Sequence, residues 1–328
     1  MNTFKSFEES LYLVNENNFE EIALRLFHFQ AQHNAVYSQY LHNLNFKAEE
    51  IKSLLEVPFL PITFFKSQTV KTGAWKPETE FTSSGTSGLA TSRHEVFDVS
   101  FYLNLSERIF TSFYGPLTNY HFLALLPSYM ERKGSSLIAM IDHFIKKSLS
   151  EHSGFYLKNH RELVEKISLL KNGNRKVILW GVSFALLDLA ESYELDLSHA
   201  IVMETGGMKG RRREWIREEL HSYLCNRFNV ESIHSEYGMT ELMSQAYSKG
   251  KGYYQCPPWM KVLVRDINDP FMIQTGKTGG IKVVDLGNFH SCAFIETQDL
   301  GIVAQEGSFE VLGRFDNSDL RGCNLLVG

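Results

Sequence analysis

Apolar positions recur every three or four residues through the first 55 residues and predict helices there. Ile22, Leu26 and Phe29 share one face of a helix that Glu20 and Glu21 open and Asn18 would N-cap. The stretch 57–65, bounded by Pro58 and Pro61, predicts an ordered connector rather than a helix. From about residue 80 to 250 the period alternates. Residues 122–126, 177–180, 200–203 and 232–234 predict buried strands, and 161–170, 184–191 and 215–228 predict helices. After about residue 252 come short β-branched runs, 262–264, 281–284, 293–295 and 309–312, separated by Gly and Asn/Asp turns. The pattern predicts an α/β protein with mostly parallel sheets flanked by helices, plus a small β-rich subdomain. The domain boundaries it suggests are 1–252 for a helical N-terminal region and α/β body, and 253–328 for the β-rich part with a short C-terminal tail.

Composition narrows the function classes. Of 328 residues, 43% are hydrophobic and 22% charged, which excludes disordered and collagen-like chains. With 33 basic and 38 acidic residues the net charge is −5, no footprint of general nucleic-acid binding. No apolar run reaches the length of a membrane span, and the opening residues lack the order of a signal peptide, so a cytoplasmic protein is expected. Cys225, Cys256, Cys292 and Cys323 include no CxxC pair, so free thiols are expected rather than a zinc site or disulfide framework.

Three motifs fail on their own terms. Gly276-Lys277-Thr278 is no phosphate-binding Walker loop, because the required earlier glycine is Phe271; a surface turn is expected. Gly181-Val182-Ser183-Phe184-Ala185 is one glycine short of a hydrolase nucleophile elbow and reads as a strand-to-helix turn with a Ser cap. A hydrolase would need His199, His221, His234 or His290 as its base. The basic run 209–213 at a helix start reads as a solvated face, with an anionic ligand as the alternative.

The unusual stretch is Thr82-Ser83-Ser84-Gly85-Thr86-Ser87-Gly88. Seven small residues cannot build a core, but they offer hydroxyl and backbone N–H donors to an anion. Downstream come Ser235-Glu236-Tyr237-Gly238-Met239-Thr240-Glu241, Thr297-Gln298-Asp299-Leu300-Gly301, and the segment from Gly313 and Arg314 to Gly322. In order and spacing these resemble the phosphate loop, YGxTE, TGDLG and GRxDxxIKxxG motifs of the adenylate-forming superfamily. The segment from Glu204 through Gly206 and Gly207 resembles that family's adenine-site glycines.

The resemblance implies the N-terminal body of an adenylate-forming enzyme, with ATP and Mg²⁺ as cofactors. Ser83, Ser84, Gly85, Thr86, Ser87 and Gly88 would hold the phosphates. Tyr237 and Gly238 would lie against adenine, with Gly206 and Gly207 on its other side. Thr240 would bind the α-phosphate, Glu241 the Mg²⁺, and Asp299 the ribose hydroxyls, helped by Arg314. The sequence departs from the family where a proline-lysine pair is replaced by Thr91-Ser92-Arg93. Few residues follow Asp316, so the C-terminal lid domain of the superfamily is expected to be absent.

Within the superfamily the chain resembles the LuxE-type acyl-protein synthetases, the long-chain-fatty-acid–luciferin-component ligases. The likeness rests on Phe64-Phe65-Lys66-Ser67, Leu126-Pro127-Ser128-Tyr129, Ser135-Ser136-Leu137, Cys256-Pro257-Pro258-Trp259 and Leu320-Arg321-Gly322-Cys323. It implies a ligase that forms acyl-AMP from a carboxylic, foremost a fatty, acid. The acyl group would pass to Cys323, beside the charge of Arg321, and then to a partner. That partner would be an acyl-CoA-type reductase, an acyl carrier or another acyl-accepting protein. The rival expectations are a CoA ligase of the phenylacetate–CoA type and a non-catalytic nucleotide-binding protein.

Overall fold

Strands alternate with helices along most of the chain in the computed structural model, which describes residues 2–83, 91–127, 134–157, 159–206 and 215–315. The strands are β1 (Leu60–Pro61), β2 (Thr79–Thr82), β3 (Arg93–Val96), β4 (Tyr120–Leu125), β5 (Gly154–Phe155), β6 (Lys176–Val182), β7 (Ala200–Thr205) and β8 (His234–Tyr237). They continue with β9 (Ala246–Ser248), β10 (Tyr253–Tyr254), β11 (Met260–Arg265), β12 (Ile273–Gln274), β13 (Gly279–Asp285), β14 (Phe294–Val303) and β15 (Phe309–Arg314). The chain divides into two compact units, Trp75–Pro257 and the pair Met1–Ala74 with Pro258–Gly328. These bounds differ from a single division at residue 252. The N-terminal helices belong with the C-terminal strands because their buried side chains cover that sheet.

In the unit Trp75–Pro257 a six-stranded sheet runs in the order β5-β4-β6-β7-β8-β9. All its neighbours are parallel except β8 and β9. Every residue of β4 is buried, as is β6 after Lys176, which is why both read as continuous apolar runs. On one face Phe110 and Phe144, from the helices Val99–Tyr114 and Ser136–Ser148, pack on Phe122 and Trp180 with ring centroids 5.6–6.3 Å apart. Asp98 and Ser135 cap those helices through Phe101 N and Ile138 N. Gly181 points to the opposite face, where a Cβ would come within 2.7 Å of Leu186. The helix Ser183–Ser192 can therefore lie close on that side. It is joined to the helix Arg217–Phe228 by Arg227 Nε, 2.7 Å from Ala190 O. No described helix is long and apolar enough to cross a membrane.

The other unit is built on antiparallel neighbours β15-β14-β13-β11-β12, with β1 joining β14 in parallel. The stretch 57–65 thus contributes a strand as well as a connector. The buried side chain of Gln30, on the helix Phe19–His33, fastens this sheet. Gln30 Nε2 lies 3.1, 3.3 and 3.2 Å from the carbonyls of Asn288, Phe289 and Ser291, and Ala293 N donates to Oε1 at 2.9 Å. Asn18 precedes this helix but makes no side-chain cap bond. Its Oδ1 instead accepts from Asn15 N at 2.8 Å.

Candidate active site

The hairpin β2–β3 carries the Ser/Gly-rich stretch at its closed end. Thr82 pairs with Arg93 and Phe81 with His94. Just beyond, Ser83 N donates to Ser92 O at 3.0 Å, and Ser92 N donates to Ser83 Oγ at 2.9 Å. Ser83 thus closes the base of the connection. Ser84, Gly85, Thr86, Ser87 and Gly88 lie outside the described residues, as does the basic run 209–213. Gly134 O accepts from Thr82 N at 2.7 Å and braces the hairpin from outside.

The Tyr-Gly-Met-Thr-Glu segment leaves the end of β8, where open parallel sheets form their binding crevices. Tyr237 is buried with its ring centroid 5.7 Å from that of Tyr254. At Gly238 a Cβ would meet Oε1 of Glu236, so a side chain there would have to displace that carboxyl. Thr240 is half-buried, and its carbonyl lies 2.8 Å from Nδ1 of the buried His94. A carbonyl only accepts, so Nδ1 carries the proton.

Glu241 is buried at 5% exposure. Among the described residues no group of three or more His, Cys, Asp or Glu could hold a metal. A single buried carboxylate such as Glu241 is the kind of ligand that Mg²⁺ takes alongside phosphate oxygens.

Two buried carboxyls flank the ends of β7 and β8 on opposite faces, since Glu204 pairs with Ser235 and Thr205 with Glu236. Ser183 Oγ bonds the Glu204 carboxyl and lies 3.0 Å from Gly206 O. Ser183 begins its helix, with Val182 at the N-cap position, so the hydroxyl is spent on Glu204 and Gly206 rather than on a cap. Burial pushes the Glu204 carboxyl above the usual carboxylate range, against the pull of Ser183 and Arg217. Burial likewise pushes Glu236 up to about 7; Glu204 adds to this, and the Thr205 hydroxyl, donating at 2.5 Å, opposes it. Gly206 takes φ +71°, and Gly207 lies outside the described residues.

Asp299 and Arg314 sit in the other unit, directly paired across β14 and β15. Arg314 Nε lies 3.1 Å from Asp299 Oδ1, with the guanidinium side chain 78% exposed and the carboxylate 7%. Asp299 N donates to Thr297 Oγ1 at 3.1 Å, and that hydroxyl donates to Ile281 O at 2.9 Å. The Thr297–Gly301 motif, expected after a strand, lies inside β14. Cys323 lies outside the described residues. Among the described residues, Cys225, Cys256 and Cys292 form no disulfide, and burial pushes Cys292 up to about 12.

His94 was not legible in the sequence, because a strand histidine gives no motif signal. Glu236 had one: a carboxyl in a run of otherwise strand-like residues immediately before Tyr-Gly.

No family model and no curated protein matches the sequence. Solved structures do. ATP-bound MatB from Rhodopseudomonas palustris matches with TM-score 0.53 and 16% identity, over 72% of this chain and 47% of that one. An ATP-bound RpMatB–BxBclM chimera matches with TM-score 0.55 and 16% identity over the same shares, 72% and 47%. An open conformation of 2-hydroxyisobutyryl-CoA ligase, in complex with 2-HIB-AMP and CoA, matches with TM-score 0.67 and 12% identity, over 91% of this chain and 70% of that one. The chain shares the α/β fold of these structures. The chain spans about half the length of the MatB structures.

Proposed function

We propose that this chain is an ATP-dependent acyl-activating enzyme. A carboxylate oxygen of the acid attacks the α-phosphorus of ATP. The bond to the bridging oxygen of pyrophosphate breaks, and acyl-AMP and pyrophosphate result. The observation that carries this reading is the His94–Thr240 hydrogen bond, because it joins the Ser83–Ser92 hairpin base to the Tyr237–Glu241 segment within one unit. Two segments matched only by resemblance are thereby adjacent at the end of a parallel sheet in a shared ligase fold.

The residues take the roles their chemistry suits. Ser83 and the small residues 84–88 donate to phosphate oxygens, and Thr240 to the α-phosphate. Tyr237 offers a ring face to adenine, beside Gly238, Gly206 and Gly207. Asp299 accepts from the ribose hydroxyls, with Arg314 fixing its carboxylate. Mg²⁺, held by Glu241, would neutralise phosphate charge. Catalysis rests on positioning and charge stabilisation.

In the finer reading the acid is fatty, and the Cys323 thiolate attacks the acyl carbonyl. AMP leaves, and the thioester passes to a protein acceptor. A second reading has free coenzyme A as acceptor; it draws on the CoA-bound 2-hydroxyisobutyryl-CoA ligase. ATP–pyrophosphate exchange over a panel of carboxylic acids tests the activation step, and no exchange with any acid would sink it. Labelled acyl-adenylate should tag wild type and not Cys323→Ser. Equal tagging of both moves the acceptor elsewhere, and rapid acyl-CoA formation by Cys323→Ser favours the second reading.

A further inference from the structure

We infer that His94 is a positioning residue that holds the Thr240–Glu241 segment in register with the hairpin base. The inference rests on the acyl-activation reading and names a residue that no motif assigns. Thr240 and Glu241 lie in the connection between β8 and β9, where no strand ladder fixes the backbone. The Thr240 carbonyl is held instead by a side chain 146 residues away in sequence, at 2.8 Å.

That side chain is itself anchored. His94 is 2% exposed and pairs across the hairpin with Phe81. Phe81 packs on Tyr102 with ring centroids 5.0 Å apart, and Tyr102 OH donates to Ser136 O at 3.1 Å. Two residues before His94, Ser92 is paired to Ser83 in both directions. The imidazole therefore transmits the position of the hairpin base to the loop that carries Thr240. A donor at the Nδ1 position is what the loop requires, and neither charge nor bulk would substitute for it. Misplacing a group at a reacting centre by an ångström can cost about 100-fold in rate.

The donor requirement gives the test. Asparagine places an amide N–H near the Nδ1 position, glutamine places it further out, and leucine removes it. In ATP–pyrophosphate exchange, His94→Leu should lose roughly 10- to 100-fold in kcat with KM for the acid within about twofold. His94→Gln should follow His94→Leu, whereas His94→Asn should stay within about threefold of wild type. ¹⁵N NMR of wild type should show the His94 ring protonated at Nδ1. A bare Nδ1 overturns the geometry whatever the activity. A folded His94→Leu with wild-type kcat, or a folded His94→Asn as impaired as the leucine variant, overturns the role. Should His94→Leu not fold, the contrast of asparagine with glutamine decides, and equal rates for the two overturn it. Exchange by wild type with indifferent variants removes only this role. No exchange by wild type with any acid removes the activation reading and this role together.

Discussion

The Ser183 hydroxyl lies between the Glu204 carboxyl and the Gly206 carbonyl, with 3.0 Å to the latter. The hydroxyl donates to the Glu204 carboxyl and has the Gly206 carbonyl within reach as a second acceptor, so it ties the end of β7 to the start of the helix Ser183–Ser192. Removing it leaves a buried carboxyl without that donor. Ser183→Ala should therefore cost about 1–3 kcal/mol in chemical denaturation. Fluorophosphonate should leave Ser183 unlabelled, since the side chain is 2% exposed and committed to its neighbours.

Glu236 sets a pH dependence. Its folded pKa of about 7 exceeds the unfolded carboxyl value, so the folded state holds the extra proton between about 4.5 and 7. Stability is lost as pH rises through that window. His221 and His234, lowered to about 4 by burial, act oppositely and gain stability as pH rises from about 4 to 6.5. The contribution of Glu236 is isolated by Glu236→Gln, which keeps an acceptor for Thr205. Relative to wild type this variant should gain up to about 3 kcal/mol at pH 8 and much less at pH 5. Paired denaturation curves at the two pH values check it.

Asp299 and Arg314 separate by exposure. The Arg314 side chain is 78% exposed, so its ion pair should contribute less than about 1 kcal/mol, and Arg314→Ala should barely move the melting temperature. Asp299→Ala removes the acceptor proposed for the ribose and should raise KM for ATP about tenfold. Exchange kinetics with thermal melts of both variants distinguish the two effects.

Gln30 holds its unit through polar contacts with buried residues. Gln30→Leu keeps the volume but strips partners from the carbonyls at 288, 289 and 291 and from Ala293 N. About 3 kcal/mol of stability should be lost. Urea titration with a probe in this unit measures it, and an unchanged midpoint would contradict the account.

The sequence made the periodic elements legible, and the reasons are physical. The strands β4 and β6 are buried on both faces, so every residue is apolar and no register information is needed to see them. The helix His160–Leu170 shows its face through Leu163, Ile167 and Leu170. The unit boundary was not legible, because Gln30 and Asn34 declare no partner until the chain returns near residue 291. The site motifs were legible as short strings of small, aromatic and acidic residues. The residues that orient them were not: a Ser at a strand-to-helix turn suggests a cap, which Ser183 does not make, and a bond from the His94 ring to a backbone carbonyl leaves no pattern.

One unit contains both Gln30 and Ala293, which meet across 263 residues of chain. Synthesis runs in one direction at about 5–20 residues per second. The helix Phe19–His33 therefore waits roughly 10 to 50 seconds for the strands that cover it. Meanwhile Trp75–Pro257 is made whole, and it can complete its sheet first. The ribosome thus imposes an order of assembly, with the inserted unit first and the unit that brackets it last. During that interval the apolar face of the early helix is open to a chaperone.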